Sequence, residues 1–169
     1  AFYLGKLKPK NFIDSTDKND VRNQNIFQKW LIITLLKNAF GGSSDTILKN
    51  LQEAINAQTD FSFFPYEVLN KRLNIEPTFN DTEIENLLST NYSTKYSYLI
   101  LSLLYPDRDW KGKKFHEDHI FPKSEFTAAK LKARGYDADR IAEYQKHFNS
   151  IGNLQLLTDV ESPCIGNII

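Results

Sequence analysis

In residues 25–40, NIFQKWLIITLLKNAF, apolar side chains return at helical spacing, and Gly41-Gly42 stands where a C-terminal glycine cap would end the run. The pattern predicts a helix there. It restarts in SSDTILKNLQEAI, where Ser43, Ser44 and Asp45 are candidate caps and Ile47, Leu51, Ala54 and Ile55 share one face. Pro65 holds the first-turn position ahead of YEVLNKRL. In NDTEIENLLST, Asn80 precedes Glu83 by three residues, a variant of the capping box. STKYSYLILSLLYP then reads as a strongly apolar helix that Pro106 terminates. Residues 1–109 are expected to form one helical domain, a bundle whose apolar faces serve packing.

After Pro106 the pattern changes. DRDWKGKK is a polar, turn-rich connector, and FHEDHIF alternates with aromatics in the manner of a short strand. FTAAKLKARG and ADRIAEYQKHF read as two helices separated by Gly135, and SIGNLQLLT at 150–158 as a second strand opened by Gly152. In ESPCIGNII, Ser162 is a candidate N-cap with Pro163 at the first helical position. Residues 110–169 thus run strand, helical insertion, strand, start of helix. The expected fold class is mainly α with a small α+β part.

Composition narrows the function classes. With 169 residues, 41% hydrophobic and 25% charged, the chain can bury a core, which excludes disordered and fibrous classes. It starts at Ala1 and contains no methionine, so it reads as an excerpt of a longer protein. The apolar run LIITLL at 31–36 is far shorter than the roughly 20 residues that cross a bilayer. A soluble, cytoplasmic protein is expected. The single cysteine, Cys164, rules out an internal disulfide and suits a reducing compartment.

A net charge of zero argues against a uniformly basic nucleic-acid binder, but the charge is unevenly spread. Between 111 and 134 stand Lys111, Lys113, Lys114, Lys123, Lys130, Lys132 and Arg134, against Glu117, Asp118 and Glu125. A local positive patch around FHEDHIFPKSEF suits a phosphodiester substrate. A lysine-rich solvated surface would carry the same charge.

Within that stretch, strand alternation puts His116 and Asp118 on one face and Glu117 and His119 on the other. A metal-dependent nuclease needs an oxygen ligand for a hard cation and a base that titrates near neutrality. Asp118 offers the first and His119 the second. His116 could add a ligand or orient Asp118. A surface salt bridge is the bland alternative for such a pair. His116, His119, His147 and Cys164 could instead form a closed structural zinc site, although Asp118 would then have no role. His147 also fits helix-end packing or the helix dipole.

The string HEDHIFPKS, followed by IGNLQLLT and a turn containing GN, resembles the His-Asn-His nuclease domain, a ββα-metal unit, of GmrSD-type modification-dependent (Type IV) restriction enzymes and their phage-defence relatives. KWLIITLLKNAFGGSSDTILKNLQEAI and DTEIENLLSTNYSTKYSYLILSLLYP resemble that family as well. The resemblance implies that His119 is the general base, Asp118 the metal-binding carboxylate, and Asn153 the middle asparagine that holds the loop between the strands. Where the family has a metal-completing asparagine, a lysine and a further asparagine after LLT, this chain has Ser162, Ile165 and Asn167. Only the last agrees, and a serine hydroxyl is a poorer oxygen ligand than an amide carbonyl.

The resemblance further implies a single divalent cofactor, Mg²⁺ or Mn²⁺, and DNA as partner. Lys111, Lys113, Lys114, Lys123 and Lys130 would follow its backbone. Recognition and nucleotide hydrolysis would reside in an N-terminal domain outside this chain, and double-strand cutting would require a homodimer or two nicks. A degenerate nuclease fold that binds DNA or docks a partner is the alternative that Ser162 and Ile165 motivate.

Overall fold

The computed structural model describes residues 2–7, 12–159 and 161, apart from the Ser44 side chain. The expectations for Ser162, Cys164, Ile165 and Asn167, and for a helix opening at Ser162, lie outside the described residues.

Helix α2 (Lys18–Leu36) starts well before residue 25 because Asp17 caps it: the Asp17 carboxylate accepts from the backbone N–H groups of Asn19, at 2.8 Å, and Asp20, at 3.2 Å. Its first turns are polar, so apolar spacing does not report them. It also ends before Gly41-Gly42. Asn38 takes the left-handed turn at φ 51°, and the Ala39 N–H bonds back to the Thr34 carbonyl at 2.9 Å.

A short helix, α1 (Phe2–Leu7), precedes it, and α3 (Ser44–Asn56) and α4 (Tyr66–Leu73) follow. At α3 the Ser43 hydroxyl meets Thr46 Oγ1 at 3.1 Å and makes no cap bond to the backbone. Pro65 stands one residue outside α4, and Asn74, at φ 53°, closes that helix.

The described residues pack as two compact units that divide between Phe79 and Asn80. In the first, Phe64 lies on an irregular segment at the centre of an aromatic cluster. Its ring meets Tyr3, Phe27 and Trp30 edge-on at 5.1, 5.2 and 5.3 Å between centroids. Leu51, Ala54, Ile55 and Leu69 complete this core. An irregular segment in a core needs its backbone satisfied. Buried Asn23 does this, donating to the Ser62 carbonyl at 2.8 Å and accepting from the Phe64 N–H at 2.9 Å.

The second unit contains α5 (Asp81–Leu88), α6 (Ser97–Leu103), β1 (Phe115–His119), α7 (Ala128–Ala133), α8 (Ala138–His147) and β2 (Leu154–Thr158). Asn80 and Glu83 form the full capping box, each side chain bonding the other's backbone N–H at 2.9 Å. The boundary expected near residue 109 falls inside this unit. The reason is packing: α6 lies on β2 and buries Ile100 and Leu101, so it groups with the strands. The fold is mainly helical with a small two-stranded antiparallel sheet. Among the described residues, no helix is long and apolar enough to cross a membrane.

Replacing Asn23 by alanine leaves the buried Phe64 N–H without its partner, at about 1–3 kcal/mol, and removes the bond to the exposed Ser62 carbonyl, worth about 1 kcal/mol. Urea denaturation of Asn23→Ala is expected to show a loss of at least about 2 kcal/mol. A change below roughly 0.5 kcal/mol, the range of an ordinary surface substitution, would refute this role.

Candidate active site

Strands β1 and β2 pair antiparallel, with Phe115 opposite Thr158, Glu117 opposite Leu156 and His119 opposite Leu154. Directly opposed residues share a face. Glu117 and His119 therefore lie on the face of buried Leu154 and Leu156, which α6 covers, while His116 and Asp118 lie on the other face with Leu157 and Gln155. The alternation read from FHEDH is present in the register.

Where β1 ends, the chain must turn without a partner strand, and Asn153 satisfies it. Its side-chain oxygen accepts from the Phe121 N–H at 2.9 Å. Its amide nitrogen donates to the carbonyls of Phe121, at 3.0 Å, and Phe148, at 2.7 Å. Its own backbone carbonyl accepts from the Ile120 N–H at 2.9 Å. One buried asparagine thus ties the exit of β1 to the end of α8 and the start of β2. Ile120 and Phe121 stay exposed while their backbone is fixed. Residues 151–153 form a short 3₁₀ turn, so β2 proper starts at Leu154 and not at the Gly152 that marks it in sequence.

The His119 ring is half-buried between two groups far away in sequence. Its Nε2 lies 2.9 Å from Asn149 Oδ1, and the Tyr92 ring lies 5.0 Å away at 37°. Tyr92 sits on the loop between α5 and α6. That loop is fastened by Glu117, whose carboxylate accepts from the Ser93 N–H at 2.8 Å and the Ser97 hydroxyl at 2.7 Å. On its other side, Asn91 bridges Ser150, and the Tyr92 N–H donates to the Asn149 carbonyl at 2.8 Å. Sequence reasoning assigned no role to Asn149, Tyr92 or Glu117. Glu117 was legible only as the residue sharing the His119 face.

Asp118 Oδ1 accepts from the His119 backbone N–H at 2.8 Å, and its second oxygen has no protein partner among the described residues. A carboxylate oxygen is a donor of the kind that a hard divalent cation such as Mg²⁺ takes, since that ion keeps several waters and needs only one or two carboxylates. His116 is drawn elsewhere: its Nε2 bonds Asp159 at 2.5 Å, just past the end of β2. Among the described residues no three His, Cys, Asp or Glu side chains converge as a metal-holding group. His147 ends α8 with its side chain exposed.

The five candidate backbone-following lysines divide between the two ends of β1, which lie roughly 13 Å apart. Lys111, Lys113 and Lys114 precede the strand, and Lys123 and Lys130 follow it. Lys113 pairs with Asp109 at 3.2 Å and Lys130 with Glu125 at 2.7 Å. Lys130, with Arg134 adding to it, holds the Glu125 carboxyl below the usual carboxylate range. Lys123 lies 5.8 Å from the Phe148 ring centroid. Lys111 and Lys114 are exposed and carry no ion pair among the described residues.

Just beyond β2, the Glu161 carboxylate accepts from the Thr158 N–H at 2.8 Å and the Thr158 hydroxyl at 3.0 Å, and it pairs with Arg108 at 3.1 Å. The Thr158 backbone N–H first, then its hydroxyl and Arg108, hold the Glu161 carboxyl below its ordinary range.

No family model matches the chain, and no curated protein matches it.

Asn153→Ala removes three bonds to backbone groups. At roughly 1 kcal/mol or more each, the variant is expected to lose about 2–4 kcal/mol, with faster amide exchange at Ile120 and Phe121. Unchanged exchange at those two amides would refute the clasp. A carboxyl lowered in the folded chain stabilises its turn above the pH where an unfolded glutamate titrates, and that contribution disappears as acid takes the pH down through the folded value. NMR titration should place the Glu161 midpoint below that of an ordinary glutamate, and Thr158→Val should raise it.

Proposed function

We propose that this chain is a metal-dependent DNA endonuclease of the His-Asn-His, ββα-metal class, hydrolysing phosphodiester bonds in the restriction of foreign or modified DNA. The observation that carries the reading is the Asn153 clasp. It holds rigid the backbone that leaves the Asp118-His119 pair, and a base must be held within hydrogen-bond reach of its water.

His119 takes a proton from water as the water oxygen attacks phosphorus in line with the departing 3′ oxygen. Asp118 would hold the divalent ion, Mg²⁺ or Mn²⁺, with Ser162 as a further oxygen ligand. The ion when bound supplies charge neutralisation on the phosphate and the leaving oxygen. His116, bonded to Asp159, orients the strand from outside that set. The two side chains leave the end of β1 on opposite faces, from Cα atoms about 3.8 Å apart. Double-strand cutting would use a second copy of the chain or a second nick. Recognition of the DNA and nucleotide hydrolysis would belong to an N-terminal domain of a longer protein.

The test is nicking of supercoiled plasmid by the chain in Mg²⁺, Mn²⁺ or EDTA, beside His119→Ala. Nicking should require the metal and fall on the order of 10²–10⁴-fold in the variant. Folded protein that retains plasmid but cuts under neither metal would replace this reading with that of a DNA-binding, catalytically degenerate fold. In the same preparations, Lys114→Ala should weaken plasmid binding and flatten its salt dependence more than Lys130→Ala, because Glu125 already offsets the Lys130 charge. Equal effects would remove the ion-pair argument.

A further inference from the structure

Two of the segments around His119 come from distant parts of the chain and hold each other. The Tyr92 N–H donates to the Asn149 carbonyl at 2.8 Å, the Ile151 N–H donates to the Thr90 carbonyl at 3.0 Å, and Glu117 fastens the Tyr92 loop to β1 through Ser93 and Ser97. Ser97 is fully buried, and its hydroxyl lies within bonding distance of that carboxylate, at 2.7 Å, and of the Thr94 carbonyl, at 3.0 Å. The result is a rigid frame with two groups aimed at one imidazole. Tyr92 limits the tilt of the ring, and the Asn149 side-chain oxygen fixes its rotation.

The chemistry of that oxygen decides more than orientation. The Asn149 amide turns its Oδ1 toward the ring, and because an amide oxygen only accepts, this orientation of the amide pairs with a hydrogen on His119 Nε2. A neutral imidazole has one N–H, and Nδ1 is then left with its lone pair. Nδ1 has no protein partner among the described residues. Building on the proposed nuclease reading, we propose that Asn149 is a positioning residue. It holds His119 in the Nε2–H tautomer, with Tyr92 holding the plane, so that Nδ1 is the nitrogen presented to the attacking water. Proton transfer then balances simply: water gives its proton to Nδ1, and the resulting imidazolium keeps its Nε2–H bond to Asn149.

The tautomer can be read without any DNA or metal. Long-range ¹H–¹⁵N correlation spectra of the full 169-residue chain, taken where the imidazole is neutral, should place the His119 proton on Nε2. Asn149→Ala should yield a mixture of tautomers, with the rest of the spectrum preserved because the backbone bridge does not need the side chain. Asn149→Asp, which keeps an acceptor, should restore the Nε2–H form. In plasmid nicking, Asn149→Ala should lower turnover on the order of 10–100-fold with KM little changed, the usual cost of losing an orienting partner. A proton on Nδ1 in the wild type, or the same tautomer with and without the Asn149 amide, overturns the proposal. A wild type that shows the Nε2–H form but cuts no DNA upholds the hold of Asn149 and removes the nuclease reading alone.

Discussion

The candidate site depends on one buried side chain that bonds backbone. Asn153 meets an N–H and a carbonyl of Phe121 and the carbonyl of Phe148, and these belong to segments that no strand or helix would otherwise join. Each of these bonds is worth roughly 1 kcal/mol, so together they favour one conformation of the loop after β1 while this amide is in place. Everything proposed for His119 and Asp118 presumes that fixed loop. Phe121 shows how local the constraint is: its backbone N–H and carbonyl are both bonded while the residue is 63% exposed.

The first unit solves a similar problem with the same device. Phe64 must enter an aromatic core from an irregular segment, and Asn23 bonds the backbone that brings it there. In each case an asparagine is suited because it carries both a donor and an acceptor, which matches a peptide group. Apolar burial supplies the bulk of the stability in both units, and the asparagine decides which backbone path that burial takes.

Around His119 the polar contacts form a chain and not a set of isolated pairs. Glu117 holds the loop that carries Tyr92, Tyr92 packs on the imidazole, and Asn149 bonds both the imidazole and the Tyr92 backbone. Helix α6 matters to the site for this reason. Its first residue, Ser97, is one of the anchors, which accounts for a compact unit that begins at Asn80 and not after Pro106.

Sequence by itself determined what depends on neighbours along the chain. Helical periodicity marked α3 and the middle of α2, the Asn80–Glu83 box marked the start of α5, and alternation marked β1 and the two faces of FHEDH. These are interactions over one to four residues, and their signals are local. The resemblance singled out Asn153 as a clasp, but not the three groups it bonds. Tertiary structure alone decided that Asn149 and Tyr92 bracket His119, that His116 goes to Asp159, and that two of the candidate lysines are already paired with acids. Those pairings bring together groups distant along the chain or choose one acid among several. No local pattern records which asparagine among many will meet which imidazole, because packing of the intervening elements makes that choice.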